Sequence, residues 1–143
     1  MAEMNDSFNE VTAEMLKVIS DYDSVTGFQG AYNIRQDSMC AGRKNSENIT
    51  IESKTDKPGI NIRGKPGTKG ETVYIPACVT HSNVDDLVYN DFFIGEGADV
   101  TIVAGCGVHS DGSETARHNG IHRFFLEKGA KVLYKECLLY TSD

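Results

Sequence analysis

Two spacings of apolar residues divide the chain. Over residues 7–20, Phe8, Val11, Met15, Val18 and Ile19 recur at helical spacing and form one apolar stripe. Ser7 and Glu10 make a capping box at its start, each side chain satisfying a free N–H of the first turn. The pattern predicts one amphipathic helix, followed by a connector from Asp21 to Gly30 that holds two glycines. Its stripe must cover something, most simply the open end of the domain after the connector. From Ala31 onward the apolar runs shorten and are punctuated by Gly, Asn and Asp. Strands are expected at Ile49–Ser53, Ile60–Arg63, Thr72–Ile75, Leu87–Ile94, Val100–Ala104, His122–Leu126 and Lys131–Lys135. Pro58, Pro66 and Pro76 are expected at strand edges or turns, where a missing N–H does least harm.

An internal repeat selects among the all-β architectures. Phe92-Phe-Ile-Gly-Glu-Gly-Ala-Asp-Val100 aligns with Phe124-Phe-Leu-Glu-Lys-Gly-Ala-Lys-Val132, 32 residues later and identical at five of nine positions. A weaker echo runs from Ile60 to Gly67 and, after a short insertion, Thr72–Ile75. Each window reads as a strand, a glycine turn and a second strand. A fixed period of this length signals a solenoid, whose units bury their apolar faces only against neighbours. A β-sandwich predicts turns every 8–12 residues or so but no sequence repeat. The expected fold is therefore all-β, a single-stranded solenoid of stacked coils preceded by one α-helix. Two or three coils give a thin core and leave an unpaired ladder at the last coil.

Charge and cysteine content narrow the function classes. The net charge is −7, and no basic stripe offers itself to phosphates, so nucleic acid is not an expected partner. No apolar run approaches the roughly 20 residues of a membrane helix, and the N-terminal Met1–Asp6 is unlike a targeting signal. The four cysteines, Cys40, Cys78, Cys106 and Cys137, include no Cys-x-x-Cys pair, which argues against a compact zinc site and for free thiols in a reducing compartment. Gly64–Gly70 lacks the Gly-Lys-Ser/Thr ending of a phosphate loop. The final heptapeptide, Cys137–Asp143, matches a common sequencing adaptor read in frame. Residues 137–143 are accordingly expected to be a non-native tail, with a real strand over Leu138–Thr141 as the alternative.

Val100-Thr-Ile-Val-Ala-Gly-Cys-Gly-Val-His109, Arg117-His-Asn-Gly-Ile-His122 and Phe124–Lys135 occur in order. Upstream of them stand Gly30–Arg35, Cys40–Arg43, Glu47–Ile49 and Lys57–Ile60. Together they resemble the SufB/SufD family of iron–sulfur cluster assembly proteins, in its short SufB/SufD-related form, over roughly residues 27–136. The resemblance implies a right-handed parallel β-helix whose opening coils span 27–136, after an N-terminal helix and linker over 1–26. It implies a cytoplasmic scaffold subunit that is not itself an enzyme. Its partners would be a SufC-type ATPase and a SufB/SufD-like subunit, or a second copy of itself. The family's pairing surface and ATPase-docking region would lie beyond this chain, making it an N-terminal, truncated fragment. The cargo implied is an Fe–S cluster or persulfide sulfur, held transiently.

The resemblance also marks Cys106 as the counterpart of a sulfur-transfer cysteine and His118 as its following histidine, although Gly107–Ser113 departs from the SufB pattern. Cys106, His118 and His109 are the candidate contacts for sulfur, iron or cluster. Cys106 between two glycines reads either as an accessible thiol or as a small buried residue at a corner. His118 and His122, four apart in a strand, share a face but stand ~13 Å apart, too far for one ion unless the backbone turns. Cys40 reads as part of a polar loop, Cys78 as core and His81 as solvated. Two other functions compete: an interaction module that only presents a surface, and a β-helix enzyme acting on acidic polysaccharides. The second would need Asp, Arg or Lys clustered along one face, and none is visible.

Overall fold

The structure, a computed structural model, describes residues 10, 12, 30–81, 85–110 and 117–142, with the side chains of 85, 110, 117 and 137–142 left aside. Among the described residues nine strands succeed one another: β1 (Gly30–Gln36), β2 (Met39–Lys44), β3 (Ile49–Ser53), β4 (Gly59–Gly64), β5 (Lys69–Val79), β6 (Asp85–Ile94), β7 (Asp99–Ser110), β8 (Arg117–Leu126) and β9 (Lys131–Ser142). They form two sheets, in the orders β2-β1-β5-β7-β9 and β3-β4-β6-β8. Only the pairs β1–β2 and β3–β4 are antiparallel; every later strand joins its sheet in parallel. From β4 onward the chain serves the two sheets alternately.

The repeated windows coincide in space. Phe92 pairs with Phe124 and Val100 with Val132, and the Phe92 and Phe124 rings stack 4.8 Å apart. The weaker echo is a third copy, since Ile62 pairs with Phe92 and Gly64 with Ile94. Its turn repeats as well. Gly67, Gly97 and Gly129 hold φ of 76°, 69° and 71°, a left-handed conformation that glycine adopts without steric cost. The turns hydrogen-bond one to the next, Gly67 N to Glu96 O and Gly97 N to Lys128 O. Between the sheets, Ala31, Val73, Val100 and Ile102 face Ile49, Ile51, Ile60, Ile62, Phe92 and Ile94 in one apolar layer. At the β8–β9 end that layer is uncovered, and Ile121, Phe124, Phe125, Leu126 and Leu133 are exposed.

Several local expectations are corrected. The polar stretch around Cys40 is a strand. Asp37 and Ser38, at φ of 49° and 71°, make a two-residue turn with both central residues left-handed, the geometry that matches strand twist and folds β2 back on β1. Asp37 holds that turn by accepting hydrogen bonds from the Thr80 N–H and hydroxyl. Pro76 lies inside β5 rather than at an edge, and the β1–β5 ladder lapses there, between Tyr32–Tyr74 and Arg35–Ala77. β5, β7, β8 and β9 all exceed their expected bounds because parallel neighbours extend the ladders through Gly, Cys and His. Of the helix over 7–20, only Glu10 and Thr12 are described, both helical; the rest lies outside the described residues. Thr12 is buried and donates to Gln36 Oε1 at the end of β1. β9 continues through Cys137 to Ser142, pairing with β7 as far as Ser110. Among the described residues no helix is long and apolar enough to cross a membrane.

Candidate functional site

A recess of about 280 Å³ opens between the sheets, lined from β1, β4, β5, β6, β7, β8 and β9. Three kinds of chemistry meet in it. From β7 comes Cys106, from β8 His118 and His122, and from β6, β1 and β9 Asn90, Arg35 and Glu136. The parallel register sets these neighbours, for Asp86 pairs with His118 and Asn90 with His122.

The best-defined part is a buried polar triad. Asp86 is 1% exposed. It accepts one bifurcated hydrogen bond from Arg35 Nε, at 3.0 Å to each oxygen, and one from Nη2 at 2.8 Å. Its Oδ2 also lies 2.8 Å from His118 Nδ1. Burial opposes ionisation of the carboxyl, but the hydrogen bonds and charges of His118 and Arg35 outweigh it and hold Asp86 well below the usual carboxylate range. An anionic Asp86 requires a proton on His118 Nδ1, so in the neutral ring the Nε2 lone pair is available.

Beyond this triad, Gly120 separates the two histidines. A Cβ placed on it would stand 2.9 Å from His122 Nε2 and 3.7 Å from His118 Nε2. The extended backbone is as expected, yet the rings lean together over the space that glycine leaves, which the rise per residue alone could not reveal. His122 is half-buried, and burial lowers its pKa, with Glu136 opposing and His118 adding slightly. It is a neutral imidazole at neutral pH.

Cys106 is buried, and its thiol is pushed up to about 11 by burial, by Glu136 and by Asp86. Cys78 is pushed up to about 12 by burial, Cys106 and Asp37, against a hydrogen bond from Thr12. Both are protonated at neutral pH, and the geometry does not activate either as a nucleophile in the resting fold. A shift to about 11 lowers the thiolate fraction of Cys106 about 100-fold against a thiol at its ordinary value of 9.0. With iodoacetamide at pH 8, Cys106 should therefore alkylate at least about 100-fold more slowly in the folded protein than in urea. Peptide mapping by mass spectrometry reads this site by site, and equal rates in both states would contradict the burial.

The candidate residues are thus only partly gathered. Cys106 and His118 line one recess; His109, three residues further along β7, is not among its lining residues. Among the described residues no three His, Cys, Asp or Glu side chains group closely enough to hold a metal ion by themselves. Asp86, Arg35, Asn90 and Glu136 were not singled out from the sequence. The signal for two of them was there, because Asp86 precedes His118, and Asn90 precedes His122, by the 32 residues that separate Phe92 from Phe124.

No family model matches the chain, and no solved structure matches it. Two curated proteins do. The chain is 32% identical over 85 residues to an iron–sulfur cluster assembly SufBD family protein of Methanothermobacter thermautotrophicus, a match covering 58% of this chain and 20% of that protein. It is 33% identical over 94 residues to an iron–sulfur cluster assembly SufBD family protein of Archaeoglobus fulgidus, covering 64% of this chain and 25% of that one. The matched stretch thus spans a fifth to a quarter of the length of these relatives. Over that stretch this chain is similar to part of two SufBD family proteins.

Proposed function

We propose that this chain is part of an iron–sulfur cluster assembly protein of the SufB/SufD type. It acts as a cytoplasmic scaffold-type subunit rather than an enzyme. A SufC-type ATPase drives it, and it pairs with a SufB/SufD-like subunit or a second copy. The observation that carries this reading is the identity of about a third shared with two SufBD family proteins. The β-structure is then the opening of a right-handed parallel β-helix, a reading supported by the parallel ladders and by the 32-residue offset that β6–β8 and β7–β9 share.

Within this reading the recess between the sheets handles sulfur. A donor persulfide transfers its terminal sulfur to the Cys106 thiol, leaving a Cys106 persulfide and the donor's thiol. The proton lost by Cys106 is relayed to the departing donor sulfur through an imidazole of the recess, which His118 and His122 line. Burial then shields the sulfur from water. Iron and cluster are cargo here. The decisive experiment is Cys106→Ser in cells that depend on this gene for cluster assembly. Loss of activity of iron–sulfur enzymes, with normal protein levels and retained co-purification of the ATPase, is the expected outcome. Unchanged cluster assembly would overturn the role of Cys106 and favour a module that only presents a surface.

A further inference from the structure

We infer that His118 and His122 form a two-imidazole site for a single divalent cation of borderline softness, such as Zn²⁺, Co²⁺ or Fe²⁺, in the niche that Gly120 leaves between them. Both Nε2 atoms approach the point where a Cβ on Gly120 would stand, at 2.9 and 3.7 Å. A metal–imidazole bond is ~2.0–2.1 Å long, so both rings reach one ion once side-chain rotation brings the two Nε2 atoms to within about twice that length of each other. The space exists only because residue 120 is glycine.

The surroundings fit a cation. Asp86 accepts from His118 Nδ1 at 2.8 Å and is itself clamped by Arg35, the carboxylate–histidine arrangement that fixes ring and tautomer for metal ligation. His122 meets the Asn90 side-chain amide through Nδ1 at 3.5 Å and presents Nε2 to the niche. Arg35 is already engaged by Asp86, and the Glu136 carboxylate lines the same recess, so the charge balance there does not invite an anion. Imidazole donors suit zinc, iron, cobalt and nickel better than calcium or magnesium.

Asn90 gives the independent sign. It is 7% exposed, lines the same recess, and its Oδ1 is buried without a hydrogen-bond partner among the described residues. A buried carbonyl oxygen left unmatched is costly. A water carried by a cation in the niche would donate to it. The remaining coordination positions are open to water or to a sulfur or oxygen ligand brought into the recess. The inference shares His118 and His122 with the proposed sulfur-transfer reading but needs neither Cys106 nor a persulfide, so cation binding is tested apart from sulfur transfer.

The test is titration of the purified apo-protein with Co²⁺, monitored by visible absorption, with Zn²⁺ monitored by imidazole ¹⁵N NMR on the unaltered chain. The inference expects one ion per chain and a Zn²⁺-induced shift of Nε2 in both His118 and His122, with the exposed His81 unmoved. His118→Ala and His122→Ala should each weaken Co²⁺ about ten-fold or more. Gly120→Ala, which keeps both rings but fills the niche, should do the same. No saturable binding, a shift confined to one of the two rings, or full affinity in Gly120→Ala would each overturn it. The NMR arm needs no variant, so a misfolded mutant cannot obscure the answer.

Discussion

Asp91→Ala should cost this fold about 3–5 kcal/mol, the usual penalty for stranding one partner of a buried ion pair. Asp91 is 4% exposed. It accepts a hydrogen bond from Lys54 Nζ at 2.7 Å and a two-pronged pair from Arg123 at 2.9 and 2.8 Å. The Lys54 side chain is only 6% exposed, so removing the carboxylate leaves an ammonium in the interior with, among the described residues, only Asn61 Oδ1 to accept from it. Arg123 is more than half exposed and can turn to water. Arg123→Ala should accordingly be much milder, because Asp91 keeps Lys54. Urea unfolding of both variants makes the comparison, and equal losses would refute the assignment of the cost to Lys54.

The same carboxylate gives the fold an acid limit. Hydrogen bonding from Arg123, then Lys54, holds Asp91 well below the usual carboxylate range despite burial, and Asp86 behaves likewise. A carboxyl depressed in the folded state stabilises the fold above its unfolded pKa of about 3.9, and this contribution fades as pH falls from about 5 through the folded value. The unaltered protein should lose stability steeply below pH 5. The gap between it and Asp91→Asn should narrow over the same interval.

How much of this was legible in the sequence turns on the kind of signal each element carries. The repeat of Phe-Phe and Gly-Ala located strand, turn and strand because those apolar side chains and turn glycines occupy equivalent places in successive passes. β1 and β2 were harder to see. Asp37-Ser38 is a tight turn without glycine, tolerated because Asp37 is tied to Thr80 across 43 residues, a contact no local pattern displays. Strand ends also ran long. Gly105-Cys106-Gly107 looks like a break by propensity, yet it is held in β7 by ladders to β5 and β9 on both sides. Within the site, Cys106 and His118 could be picked out by type, but the raised pKa of the thiol comes from its burial and from the charge of Glu136 on β9. The polar pairs were the missed opportunity. Asp86–His118, Asn90–His122 and Asp91–Arg123 are all register partners at the Phe92–Phe124 offset. Extending the apolar period to the polar residues between its landmarks would have placed all three.

Phe92 and Phe124 turn that register into a measurement. They are the same residue at the same place in successive passes, with rings 4.8 Å apart and nearly parallel, at 9°. Their surroundings differ by one layer. Phe92 is fully buried between Ile62 on β4 and Phe124 on β8, whereas Phe124 is 39% exposed, with the open edge of β8 beside it. Phe92→Ala empties a closed site and should cost about 3–5 kcal/mol, the range for removing a phenyl ring from a packed core. Phe124→Ala removes a ring already partly in water and should cost distinctly less, since neither the transfer nor the cavity contribution is complete at an open site. Chemical denaturation of the two variants, with unchanged slopes, measures the difference. If both cost the same, the β8 face is covered in solution, by a second copy or by further strands. Adding one more parallel strand beyond β8 should close the gap by raising the cost of Phe124→Ala toward that of Phe92→Ala.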